Sequence, residues 1–206
     1  MGVAEAKSRR VRRSPESAKA EIIAAFEEAL AEAGFHELTV DAVMQRTGMT
    51  RPSFYYYFSA LDDLVLGLLE RFEEDIRAVS DPWLEDTHGE NYREATIEGL
   101  EGLAGVFQSH RRAAMALLQS AWANTDLYRA WQQRVIEHYI DRTTRIIERQ
   151  IVLGRSRVED PARLARALNL MTNAVFNDHI LRDDPDDPAH MAKVVAGVWN
   201  TSIYGV

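Results

Sequence analysis

Six side chains that can donate or stack, Thr50, Arg51, Ser53, Tyr55, Tyr56 and Tyr57, fall within eight consecutive positions of the stretch TVDAVMQRTGMTRPSFYYYF, Thr39 to Phe58. Hydroxyls, a guanidinium and flat amphipathic rings at that density suit contact with phosphate oxygens and base edges. Turning about 100° per residue from Arg51, Phe54 and Phe58 share one face. Pro52, Ser53 and Tyr56 point the opposite way, and Tyr55 and Tyr57 take the flanks. The competing reading is an aromatic core helix, but core helices seldom carry Tyr on nearly every side. A second group lies far downstream. Trp131, Val135, His138 and Arg142 recur about one helical turn apart, as do Leu168, Thr172, Val175, Phe176 and His179. Large aromatics mixed with isolated polar groups are what a small-molecule cavity needs; the ordinary alternative is a core whose polar atoms are satisfied.

Other chemistry finds little support. The 206 residues contain no cysteine, which excludes disulfides, thiolate metal sites and cysteine nucleophiles. The six histidines show no paired ligand spacing, so no metal is expected. No G-x-S-x-G or phosphate-loop motif occurs, and neither catalysis nor a cofactor is implied. Gly99, Gly102 and Gly105 recur every third residue inside a helical pattern with no preceding strand, and read as room for close helix approach or cavity volume. The acidic run Asp183 to Pro188 reads as a solvated turn. No apolar run of about 18 residues and no signal-type h-region appear, so a membrane partner is not expected and the cytoplasm is.

The formal net charge is −8, but its distribution matters more than its sum. Residues 1–20 carry a local +4 and residues 59–206 a local −8. The positive charge therefore sits beside the tyrosine-rich stretch. An arginine-rich arm there suits phosphate or minor-groove contact; a merely solubilising tail fits equally well.

The elements that must position these residues are all helical. Residues 1–13 have few apolar groups and are expected to be a disordered basic arm. Ser14-Pro15 is a cap-plus-proline start, and Ile22, Phe26, Ala29, Leu30 and Ala33 form a stripe ending at Gly34. Thr39 caps a short helix with Val40, Val43 and Met44 on one face, closed by Gly48 as the left-handed C′ residue. Thr50 caps the next helix, and Pro52 is tolerated in its first turn. A fourth helix starts near Leu61, with Leu64, Val65, Leu68, Leu69, Phe72 and Ile76 inward and Asp62 and Asp63 favouring its N-terminus. Asp81-Pro82 and the polar segment to Glu90 mark a break, dividing a head, 14–80, from a body, 81–206. Five longer helices follow, near 91–107, 111–123, 127–153, 161–181 and 188–204, about nine in all. The last carries Met191, Val194, Val195, Val198, Trp199 and Ile203, more apolar width than one neighbour covers. That surplus suggests helix-on-helix dimerisation, with packing inside the same chain as the alternative.

The segment LTVDAVMQRTGMTRPSFYYYF followed by LDDLVLGLLERF resembles the N-terminal domain of TetR-family transcriptional repressors, with Thr39, Gly48, Thr50, Tyr55 and Phe58 in register over about Ala20 to Phe72. The resemblance implies an all-α fold with a three-helix helix-turn-helix head and a helical ligand-binding and dimerisation body. It implies that Thr39 and Tyr55 contact phosphates and that Arg51, Pro52, Ser53 and Tyr56 lie along the major groove. Thr50 and Tyr57 complete the candidate DNA contacts. The family usually has Ser-Lys two and three residues beyond the closing Phe; Ala60-Leu61 here implies one phosphate contact and one cap fewer, which would flatten the salt slope by roughly one unit.

ALNLMTNAVF and the ending VWNTSIYG are similar to the subgroup containing the repressor of the ethionamide-activating monooxygenase, whose body holds an aromatic-lined tunnel. By that likeness Phe107, Trp131, Asn169 and Trp199 line a cavity, with Asn169 anchoring a polar group and His138 making the wall more polar. Leu103, Val135, Thr172 and Phe176 complete the candidate ligand-binding residues. The expected protein is a homodimer, joined through its last two helices, that binds a pseudo-palindromic double-stranded DNA operator and is released by a small hydrophobic effector. A non-inducible DNA-binding or protein-interaction module is the alternative.

Overall fold

The computed structural model describes residues 14–85, 91–121, 129, 131–182 and 187–205. The expected basic arm, the start of the expected helix from 127 and most of the acidic turn lie outside them. Among the described residues there are nine α-helices and no strand. The fold is all-α.

The head begins with α1, Pro15–Glu32, where Ser14 Oγ accepts from the Ser17 N–H at 3.1 Å and Pro15 holds the first helical position. A single 3₁₀ turn, Phe35–Glu37, leads into α2, Val40–Thr47. Thr39 Oγ1 accepts from the Ala42 N–H at 3.2 Å, and Gly48 ends the helix at φ +63°, a conformation that favours a residue without a Cβ. Next comes α3, Arg51–Tyr57. Phe54 is fully buried and packs 5.7 Å from Phe58, so the two anchors share one face. Helix α4, Leu61–Leu84, buries all six inward residues expected from its pattern.

Two local expectations change. Asp81-Pro82 does not end α4, which continues to Leu84 with Pro82 inside it. Proline lacks an N–H for the preceding turn, yet burial of Leu84, and of Trp83 in part, holds the last turn in place. The cap missing at Ala60 is supplied from inside the helix: Asp63 Oδ2 accepts from the Ser59 N–H at 2.6 Å and the Ala60 N–H at 3.3 Å. That is half of a capping box, with a carboxylate placed where the helix dipole favours it.

The body comprises α5, Tyr92–Ser109, and α6, Arg111–Ala121. A π-helical turn, Gln132–Ile136, then runs straight into α7, Glu137–Val152. Helices α8, Pro161–Leu181, and α9, Pro188–Tyr204, start at the cap-plus-proline pairs, where Asp160 and Asp187 accept from the Arg163 and Ala189 N–H groups. Helix α9 lies along α5, α7 along α8, and α4 along α5. Arg111 ties α6 to the end of α8, donating to the carbonyls of Ile180 and Arg182 at 2.7 and 3.1 Å. One contiguous apolar core runs from Ile22 in the head to Ile203 in α9, and α4 passes through both ends of it.

Candidate functional site

The head presents α3 outward. Thr47 locks the turn before it, donating to the Met44 carbonyl at 2.9 Å and accepting from the Met49 N–H at 3.1 Å. The Thr50 hydroxyl lies 3.1 Å from Ser53 Oγ, so it pairs with a side chain and does not cap the backbone as expected. Arg51 donates to Asp41 Oδ2 at 2.8 Å and to the Tyr55 hydroxyl at 3.3 Å, with its guanidinium 5.7 Å from the Tyr55 ring centre. Tyr55 is 51% exposed and Tyr56 77% exposed. Tyr57 meets Tyr56 edge-on at 4.8 Å. Pro52, Ser53, Tyr56 and Tyr57 surround one open concavity closed by Ala18 and Met49. Tyr57 thus joins the Tyr56 side of the helix. Thr39 is exposed at the start of α2; its oxygen caps the helix and leaves its hydroxyl hydrogen to donate. Asp41 and Asp63 were absent from the expected contacts, although an Asp in a helix's first turn is a readable cap signal.

The body holds a narrow cavity with about 530 Å³ of space between its side chains, the open mouth included. Helix α4 contributes Ile76, Ser80, Trp83 and Leu84, and α5 contributes Leu100, Leu103 and Phe107. Trp131, Val135 and Ile136 come from the π turn and its entry, and Tyr139 and Thr143 from α7. Asn169, Thr172 and Asn173 of α8 and Trp199 of α9 close the wall, and among the described residues no lining side chain is charged. Trp199 Nε1 donates to Thr172 Oγ1 at 2.9 Å, and Thr172 donates onward to the Leu168 carbonyl at 2.8 Å. Asn169 Nδ2 donates to Thr143 Oγ1 at 3.0 Å and to the Ala165 carbonyl at 2.9 Å. Burial raises the pKa of the Tyr139 hydroxyl, and the charge of Asp81 adds to that.

Leu103, Phe107, Trp131, Val135, Asn169, Thr172 and Trp199 therefore line one cavity, whereas His138 and Phe176 do not. Phe176 is fully buried behind the wall, edge-on to Phe107 at 5.2 Å. His138 sits edge-on to Tyr139 at 5.1 Å, and Arg142 turns away to Asp81 at 3.5 Å. The reason is the π turn. One extra residue in that turn advances everything downstream by one position, about 100°. The inward stripe becomes Trp131, Val135, Tyr139 and Thr143 in place of Trp131, Val135, His138 and Arg142. Trp83 was hidden by the expected break at Pro82. The glycine signal pointed toward it: a Cβ on Gly99 would stand 2.5 Å from the Trp83 ring.

A reading helix exposed on a three-helix head, carried by a long helix that also walls a body cavity, defines a regulator of the TetR type. The family model for bacterial regulatory proteins of the tetR family matches residues 22–68, and that for the C-terminal domain of transcriptional regulator EthR matches residues 96–205, more than half of the chain. The chain belongs to the TetR family of DNA-binding transcriptional regulators, with a body of the EthR type. It is 25% identical over 199 residues to the HTH-type transcriptional regulator EthR of Mycobacterium tuberculosis, covering 96% of this chain and 92% of that protein. A TetR-family regulator from Mesorhizobium loti has the same fold, with a TM-score of 0.71 at 15% identity over 92% of this chain and 98% of that one. A complex of SmeT with triclosan gives a TM-score of 0.67 at 24% identity, over 89% of this chain and 90% of that one.

Proposed function

We propose that the protein is a homodimeric repressor whose hold on its operator is weakened by a small, neutral, largely apolar effector bound in the body cavity. The observation that carries this is the course of α4. Leu64 to Phe72 belong to the core that runs on from the head, and Ile76, Ser80, Trp83 and Leu84 of the same helix wall the cavity. A molecule wedged against those residues shifts α4, and the head follows as a rigid body. A five- to 150-fold change in operator affinity needs a coupling of about 1–3 kcal/mol, which differential packing in one cavity can supply. The absence of charge among the described lining residues supports an uncharged effector, since burying an unpaired charge there is expensive. The fold neighbour solved with triclosan supports small-molecule binding in this architecture.

Two heads related by a twofold would read half-sites of a pseudo-palindrome about 34–36 Å apart. Exposed Leu170 on α8 and Val194 and Val198 on α9 support dimerisation through the last two helices. DNA binding places the protein's work in the cytoplasm. The test is an electrophoretic mobility assay against the DNA flanking its own gene, at about 150 mM salt where non-specific binding is weak. Preference over random DNA is expected; equal affinity for both would sink the reading.

A further inference from the structure

The polar groups of the cavity wall are not equally available. Both Asn169 N–H groups are engaged by Thr143 and Ala165, the Trp199 N–H by Thr172, and the Thr172 hydroxyl hydrogen by Leu168. The expected anchor, Asn169, is left with its carbonyl oxygen alone. Tyr139 differs. Tyr139 lines the cavity, and its hydroxyl oxygen is sealed from solvent with no hydrogen-bond partner among the described residues. A buried donor without a partner is destabilising, and whatever supplies an acceptor recovers that loss.

We propose that Tyr139 determines effector specificity, its hydroxyl donating to an oxygen or nitrogen acceptor on an otherwise apolar, uncharged effector. This rests on the effector reading above. In the closed wall the hydroxyl is shut off from water, so a molecule that enters and spreads the wall is its external source of an acceptor. The internal rival is Asp81 Oδ1 on α4, also sealed and without a hydrogen-bond partner among the described residues, with Arg142 Nη1 3.5 Å away. Ser80 and Asn173 add polar atoms to the wall. Tyr139→Phe removes one hydroxyl and leaves those atoms in place.

The experiment uses two neutral probes of nearly equal shape, benzophenone, which carries a carbonyl acceptor, and diphenylmethane, which does not. Equilibrium dialysis against the full dimer measures both affinities for the wild type and Tyr139→Phe. The substitution is expected to reduce the benzophenone-to-diphenylmethane preference about tenfold, the value of one well-made buried hydrogen bond. The same preference in both proteins overturns the assignment of Tyr139 alone. Binding of neither probe to the wild type overturns the cavity reading, and this inference with it. Thermal unfolding without probe addresses Asp81. An unchanged or higher Tm for Tyr139→Phe is expected of an unpartnered hydroxyl, and a clearly lower Tm would overturn the proposal by showing that the hydroxyl is already bonded inside the protein.

Discussion

Arg51 is a cation already held in place. Asp41 and Tyr55 fix its guanidinium against α2 and the Tyr55 ring, so in the proposed DNA contact it would be presented as an oriented group. Tyr55→Phe removes a hydrogen bond to Arg51 along with the expected phosphate contact, and neither carries sequence information. Binding to every operator variant should weaken together by about tenfold, measured across a panel of single-base changes. Tyr56, nearly free of neighbouring cover, behaves differently: Tyr56→Ala should change the ranking of operators by about 1–3 kcal/mol, and a uniform loss would remove it from base reading. Tyr139 makes a pH prediction. Burial and the negative charges of Asp81 and Glu73 raise its pKa above the ordinary 10.0, against the opposing pull of Arg77 and Arg142. The folded chain then keeps a proton that the unfolded chain releases near pH 10.0, so stability is lost as pH rises past that point. The Tm of the wild type should fall relative to Tyr139→Phe between about pH 9 and 11; parallel curves would show that the hydroxyl titrates as if exposed.

The π turn is the element on which the cavity depends. Trp131 at its entry stacks on Phe72 of α4 at 5.1 Å, and Arg134 within it donates to the buried Glu73 at 2.6 Å. Deleting Gln133 would restore ordinary helical spacing and rotate the preceding segment by about 100° relative to α7. Binding of a cavity ligand should be lost while helical circular dichroism is retained; preserved binding would mean that the extra residue is not what sets the register. Two glycines of α5 give opposite expectations. Gly105→Ala meets nothing within 4 Å and should stabilise the helix by up to about 1 kcal/mol. Gly99→Ala drives a methyl into the rigid Trp83 ring, and overpacking of about 1–3 kcal/mol outweighs the same helical gain. Thermal unfolding should move the two variants in opposite directions.

At the scale of the molecule, α4 runs from the core of the head to the wall of the body cavity, and in the proposed function it would join a DNA-binding surface to an effector site. In the proposed dimer, twofold symmetry would turn a change in either head into a change in half-site spacing. Helix α9 sorts its apolar residues between two faces. Val195, Trp199 and Ile203 face the body, while Val194 and Val198 remain 59% and 42% exposed. Val198→Glu, on the outer face alone, should shift sedimentation from dimer toward monomer and lower operator affinity; an unchanged dimer would place the interface elsewhere.

Features set by neighbours in the chain were legible before any fold was known. Ser14-Pro15, Thr39, Gly48, Asp160-Pro161 and Asp187-Pro188 mark helix ends because capping hydrogen bonds and left-handed backbone involve residues only a few positions apart. The all-α class and the inward stripe of α4 follow from periodicity, which is equally local. What depended on distant partners was decided by the tertiary structure. Packing carried α4 through Pro82 and inserted the π turn that brings Tyr139, not His138, to the wall. It engaged a donor of Asn169 with Thr143, and it divided α9 into inner and outer faces. Periodicity assumes one unbroken phase and says nothing about which polar atoms find each other across helices. A single extra residue in a turn, or a hydrogen bond between helices remote in sequence, therefore leaves no local trace.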